Sequence, residues 1–89
     1  MPPAPGLVNL ELDLRGYRAA EIEPMLDEYL EHAYRAGMPF VRIIHGKGTG
    51  ALRNVVREYL ADHPAVASAK LAPPNEGGDG ATVATLRET

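Results

Sequence analysis

Two short stretches of this 89-residue chain carry residue types that could act on a phosphate. One is His45-Gly46-Lys47-Gly48-Thr49-Gly50, an imidazole and an ammonium set among alternate glycines. Glycines let backbone N–H groups approach an anion with no Cβ in the way. A helix opening after Gly50 would add its unpaired N–H groups and the positive end of its dipole. Lys47 supplies a mobile charge, Arg53 could supply another from the first turn, and the Thr49 hydroxyl could cap the helix. The stretch is not a nucleotide P-loop, because that motif needs glycine where Val41 stands and Ser or Thr where Gly48 stands. The other stretch is Leu12-Asp13-Leu14-Arg15-Gly16. Asp13 and Arg15 lie two apart, so on a strand they face the same way. Arg15 could clamp a phosphate in a bidentate fork. Asp13 could orient His45, hold a divalent cation or simply pair with Arg15. His45 suits general acid or base work, since an ordinary imidazole titrates at ~6.5. The plainer alternatives are a tight strand-to-helix turn, a structural histidine and an exposed ion pair.

These residues need elements to hold them. Val8, Leu10, Leu12 and Leu14 alternate with Asn9, Glu11, Asp13 and Arg15, the period of a strand with one apolar face, ended by Gly16. Ile22, Met25, Leu26, Tyr29, Leu30 and Ala33 form one stripe of an amphipathic helix, stopped by Gly37 and Pro39. Pro24 is tolerable only near a first turn, so this helix should start late or irregularly, between Ala19 and Glu23. Phe40, Val41, Ile43 and Ile44 read as a strand buried on both faces or nearly so. Leu52, Val55, Val56, Tyr59 and Leu60 mark a second helix closed by Pro64. Val66–Leu71 and Thr82–Leu86 read as strands, and 72–80 as irregular. The order β-α-β-α-β-β predicts a two-layer α/β sandwich with a mixed four-stranded sheet. The first two strands should be parallel, the last two antiparallel, and both helices should lie on one face. Parallel pairing brings the Asp13 and His45 stretches to one edge, where open α/β sheets bind ligands. The Gly77-Gly78-Asp79-Gly80 loop could close over that edge or form a flexible hairpin.

Length allows one domain, read as a Pro-rich linker over residues 1–6 and a single domain over 7–89. Cysteine is absent, which removes disulfides and thiolate zinc sites. His32 and His63 fall late in the two helices, where a cation complements the dipole, and spell no metal site. No apolar run suits a membrane span and no signal peptide opens the chain, which fits a cytoplasmic domain without a membrane partner. A net charge of −3 is the wrong sign for a stand-alone nucleic-acid binder. A concentrated basic site or partner domains must then supply the attraction.

Three blocks together resemble the Smr (small MutS-related) domain: Leu12–Gly16, His45–Arg53 and Gly77–Val83. The Ala/Arg/Pro-rich style is similar to the C-terminal Smr domain of a bacterial MutS-type ATPase paralogue. Arg18 departs from the small hydroxyl residue that often caps the family's first helix. The resemblance implies a βαβαββ fold and an endonuclease that nicks DNA and, in some relatives, cuts RNA. It implies work inside a larger chain, in suppression of recombination or rescue of stalled ribosomes. Carried over by position, it marks Asp13, Arg15, His45, Gly46, Lys47 and Gly48. Asp13, Arg15 and His45 are then the expected catalytic residues. Gly46, Lys47, Gly48, Thr49, Gly50 and Arg53 are expected to bind phosphate. Mg or Mn is the expected cofactor, although no ligand spacing points to a metal site. The alternatives are a binding module for DNA or RNA, rRNA included, with the same basic loop, and a protein-interaction domain.

Overall fold

The computed structural model describes residues 10–48 and 50–88. The elements run β1 (Glu11–Asp13), α1 (Ala19–Arg35), β2 (Phe40–Ile44), α2 (Ala51–Asp62), β3 (Val66–Leu71) and β4 (Ala81–Leu86). The sheet order is β1-β2-β4-β3. β1 and β2 are parallel, and β4 is antiparallel to both of its neighbours. The last strand therefore enters the middle of the sheet, beside the strand that carries the glycine loop.

Both helices pack on one face. Ile22, Leu26 and Leu30 of α1 and Val56 and Leu60 of α2 close over Val41, Ile43, Ala84 and Leu86, all nearly or fully buried. Each such side chain contributes about 1.5–3 kcal/mol by leaving water. Among the described residues the other sheet face carries no α-helix, and the consequence shows in β2. Val41 and Ile43 are wholly buried, whereas Phe40 is 43% exposed and Arg42 and Ile44 are half-buried. The expectation of a strand buried on both faces is corrected: an apolar run this short hides a period-two pattern broken only by Arg42.

Two strand boundaries moved. β1 is three residues rather than eight; Val8 and Asn9, like the 1–6 linker, lie outside the described residues. α1 starts at Ala19, the early end of the expected range, and Pro24 sits in its second turn on the exposed side. There water can serve the carbonyl that proline leaves without a donor. Arg18 brings no hydroxyl, but the Glu21 carboxylate accepts its backbone N–H at 3.0 Å, half of a capping box. The 72–80 segment contains two single 3₁₀ turns, Pro74–Glu76 and Gly78–Gly80, and β4 begins one residue early at Ala81.

Candidate functional site

Three separate stretches meet at the carboxyl ends of β1 and β2. Leu14 N–H donates to the Ile44 carbonyl at 2.7 Å, which zips the first loop to the second. The Gly80 carbonyl accepts from His45 N–H at 3.0 Å and Gly46 N–H at 2.9 Å, which binds the third stretch to the second. Approach is close enough that a Cβ on Gly80 would stand 3.7 Å from Gly46 Cα, and one on Gly46 would stand 3.4 Å from Arg15 Cγ. Gly46, at φ +79°, also needs a conformation that side chains rarely adopt.

Strand alternation then divides the cluster. Asp13 is registered opposite Ile44, on the open face. His45, the next residue, turns to the helix side and is only 4% exposed. Its Nδ1 lies 2.9 Å from the Gly46 carbonyl, which can only accept, so Nδ1 carries a proton. Its Nε2 lies 2.9 Å from Thr82 Oγ1, and in the neutral ring it accepts the hydroxyl proton. Both ring nitrogens are thus committed to the protein. Asp13 is committed elsewhere, accepting from Arg15 N–H at 3.0 Å, Nε at 3.0 Å and Nη2 at 2.8 Å. Of the roles open to Asp13, the structure shows pairing with Arg15 and not orientation of His45. Side-chain hydrogen bonds from Arg15, then its backbone N–H, hold the Asp13 carboxyl down to about 2 and push the guanidinium up.

The remaining expected residues line the loop. Lys47 is exposed and makes no ion pair among the described residues. Gly48 and Gly50 have φ of +29° and +85°. Gly50 caps α2, its carbonyl accepting from Asn54 N–H at 2.9 Å. The expected Thr49 cap and phosphate contact fall on a residue outside the described ones. Arg53 lies over Gly50, with Nη2 3.2 Å from where a Cβ would sit. Its Nε is buried with no hydrogen bond among the described residues.

Two hollows border Gly46 and Lys47. A small one, on the helix side, is lined by His45, Gly48, Gly50 and Arg53. A larger trough on the open face is lined by Arg15, Arg42, Ile44, Glu11, Glu76 and Gly77 besides the loop. Arg42, Glu11 and Thr82 were not singled out as site residues from sequence. Arg42 pairs with Glu11 and donates to the Glu76 carbonyl at 3.2 Å, clipping the Pro74–Glu76 turn to the sheet. Its signal was the single charge inside an apolar strand. Thr82 carried only its place in the third block. As for Mg or Mn, no three His, Asp or Glu side chains converge among the described residues, and Asp13 is taken by Arg15. The described donors do not fit a dedicated divalent-cation cage.

Comparison with known proteins agrees with this architecture. A family model described as Smr domain matches residues 12–87. Endonuclease MutS2 of Carboxydothermus hydrogenoformans is 53% identical over 79 residues, 89% of this chain and 10% of that protein. Endonuclease MutS2 of Thermomicrobium roseum is 52% identical over the same length and shares. The chain thus spans about a tenth of the length of these curated relatives. The crystal structure of the Smr domain of Thermus thermophilus MutS2 superposes with a TM-score of 0.84 at 49% identity, covering 86% of this chain and 96% of that one. YdaL, a stand-alone small MutS-related protein from Escherichia coli, also gives 0.84, at 29% identity, covering 89% and 65%. With three blocks converging on one sheet edge and a match over nearly its whole length, the chain belongs to the Smr domain family.

Proposed function

We propose that this domain grips the phosphodiester backbone of DNA or RNA at the Gly46–Gly50 loop and nicks it. The observation that carries the reading is that Arg15, packed against Gly46, and Lys47, the next residue of the loop, line the same open-face trough. Two cations and a glycine turn at a helix N-terminus form a compact positive site on a domain of net charge −3. Arg53 holds a buried Nε with no acceptor among the described residues beside the same turn, a donor suited to a second phosphate oxygen. The relatives named endonuclease MutS2 support hydrolysis as the reaction.

In this reading Arg15, Lys47 and the loop N–H groups stabilise the charge that develops on phosphorus. Asp13, held near 2, is too weak a base to take a proton at neutral pH; it positions Arg15 instead. His45 fixes the loop through Gly46 and Thr82. No step is assigned to Mg or Mn. The domain would act within a larger MutS2-type chain, in control of recombination or on stalled ribosomes.

A second reading, binding without cutting, with rRNA of the ribosome as one such ligand, is favoured by the commitment of both His45 ring nitrogens. Nicking of supercoiled plasmid by the 89-residue chain, with and without Mg or Mn, separates the two. Arg15→Gln and Lys47→Ala should each lower nicking by roughly 10²-fold, the usual effect of losing one charge-stabilising donor. Nicking unchanged by both substitutions overturns the assignment. Salt-sensitive binding with no nicking under any condition supports the second reading.

A further inference from the structure

The sheet face that no α-helix covers among the described residues is organised in rows by strand register. Nearest the loop lie Asp13, Ile44 and Ala81. Next comes Glu11, Arg42, Val83 and Lys70, a row crossing all four strands. Farthest out lie Phe40, Thr85 and Ser68. Phe40, the only phenylalanine of the chain, is 43% exposed. It stands at the start of β2, and Gly46 follows the end of the same strand, roughly 20 Å away at ~3.3 Å per residue. Between them the surface has an apolar floor of Ile44 and Val83 and the cations Arg42 and Lys70. Two of its carboxylates are engaged, Glu11 with Arg42 and Asp13 with Arg15, while Glu76 lines the trough at the loop end.

We infer that this open face is a track for a single nucleic-acid strand. One base stacks on Phe40, and the strand then crosses the Arg42 row and delivers a backbone phosphate to Arg15 and Lys47. The inference rests on the phosphate site proposed above, which a duplex also reaches, and adds beside it a subsite that only an unpaired stretch of strand can fill. An exposed aromatic ring can stack only on a base whose face is free, and base–aromatic stacking tolerates any sequence. A duplex hides those faces and offers base edges in its grooves and the backbone instead. Charge distribution favours the same face. The helices of the covered side hold seven carboxylates against three arginines, and the rest of the chain five against six cations. Covering by another domain of a longer chain is the competing occupant.

The test uses fluorescence anisotropy with a labelled oligothymidine of about a dozen nucleotides, free or annealed to its complement. Phe40→Ala should weaken single-strand binding by roughly 5- to 150-fold, the range for losing one stacked base, and leave duplex binding unchanged. Phe40→Tyr should restore it. The chain has no tryptophan, so Phe40→Trp places a lone fluorophore on the track, and single strand but not duplex should quench it. Glu11→Gln, which releases Arg42 from its partner, should tighten single-strand binding and steepen its salt dependence. If Lys47→Ala weakens both ligands while Phe40→Ala weakens neither, the loop site stands and the track is overturned. Equal losses on both ligands from Phe40→Ala also overturn it. If Lys47→Ala changes neither affinity, the phosphate site itself falls. Single-strand affinity that rises when Phe40 is removed marks the face as a domain contact and likewise overturns the track.

Discussion

The two faces of this one sheet do opposite things with similar residues. On the covered face His45 is enclosed, hydrogen-bonded at both ring nitrogens, and surrounded by a helix layer whose outer groove is acidic. Glu23, Asp27, Glu31, Glu58 and Asp62 line that groove, where His63 Nε2 lies 3.4 Å from Asp27 and the Tyr59 hydroxyl donates to it at 3.0 Å. Burial, then that hydrogen bond, pushes the Tyr59 hydroxyl up to about 12. On the open face Asp13 and Arg15 pair in water, and Arg42, Lys70 and Lys47 carry the positive charge. A nucleic-acid backbone is repelled by the first surface and attracted to the second. Residue type alone did not separate an enclosed imidazole from an exposed carboxylate–guanidinium pair. One step along a strand did.

The contrast can be broken by mutation, beginning where the effect is largest. His45→Ala removes a buried ring with two hydrogen bonds and leaves the Thr82 hydroxyl and Gly46 carbonyl without it. A loss of about 2–4 kcal/mol is expected, lowering Tm by roughly 10 °C or more in thermal unfolding. Thr82→Val cuts only the hydroxyl contact and should cost about 1–2 kcal/mol. On the open face Asp13→Asn should leave Tm unchanged within error, because the pair it breaks is exposed. If Asp13→Asn destabilises as much as His45→Ala, the division between the faces fails.

Smaller effects sharpen the same contrast. Lys47→Ala should reduce the salt slope of nucleic-acid binding by about one and spare stability. The Asp13 carboxyl, followed by NMR, should titrate near 2 in the native chain and rise toward 3.8 in Arg15→Gln. Its folded value is depressed, so the pair's contribution is complete above the unfolded value. It is lost as pH falls through about 2. That contribution is small, since both groups sit in solvent.

Much of the architecture was legible from periodicity. The α1 and α2 stripes, the Val66–Leu71 strand and the parallel pairing of β1 with β2 all follow from spacing. The meeting of the Asp13 and His45 stretches follows from that pairing, whereas the arrival of Gly80 depends on the insertion of β4 beside β2, which spacing does not give. The orientation of His45 was harder to read. It stands just past the end of a five-residue strand, and its burial depends on Thr82, which arrives from the far end of the chain. Arg42 is harder to read because Phe40-Val41-Arg42-Ile43-Ile44 is an apolar run with a single charge, too short to show which of its residues turn to the helices. The first helix starts within its expected range, where Glu21 accepts the Arg18 N–H, and Gly50 stands at the cap position of the second.

The division of labour between the faces is tested most directly by mapping amide chemical shifts during titration with oligothymidine. Changes are predicted at Arg15, Phe40, Arg42, Gly46, Lys47 and Val83, with Glu23, Asp27, Glu58 and Asp62 left still. Changes concentrated on those helix residues, with Phe40 and Lys47 unmoved, would contradict it.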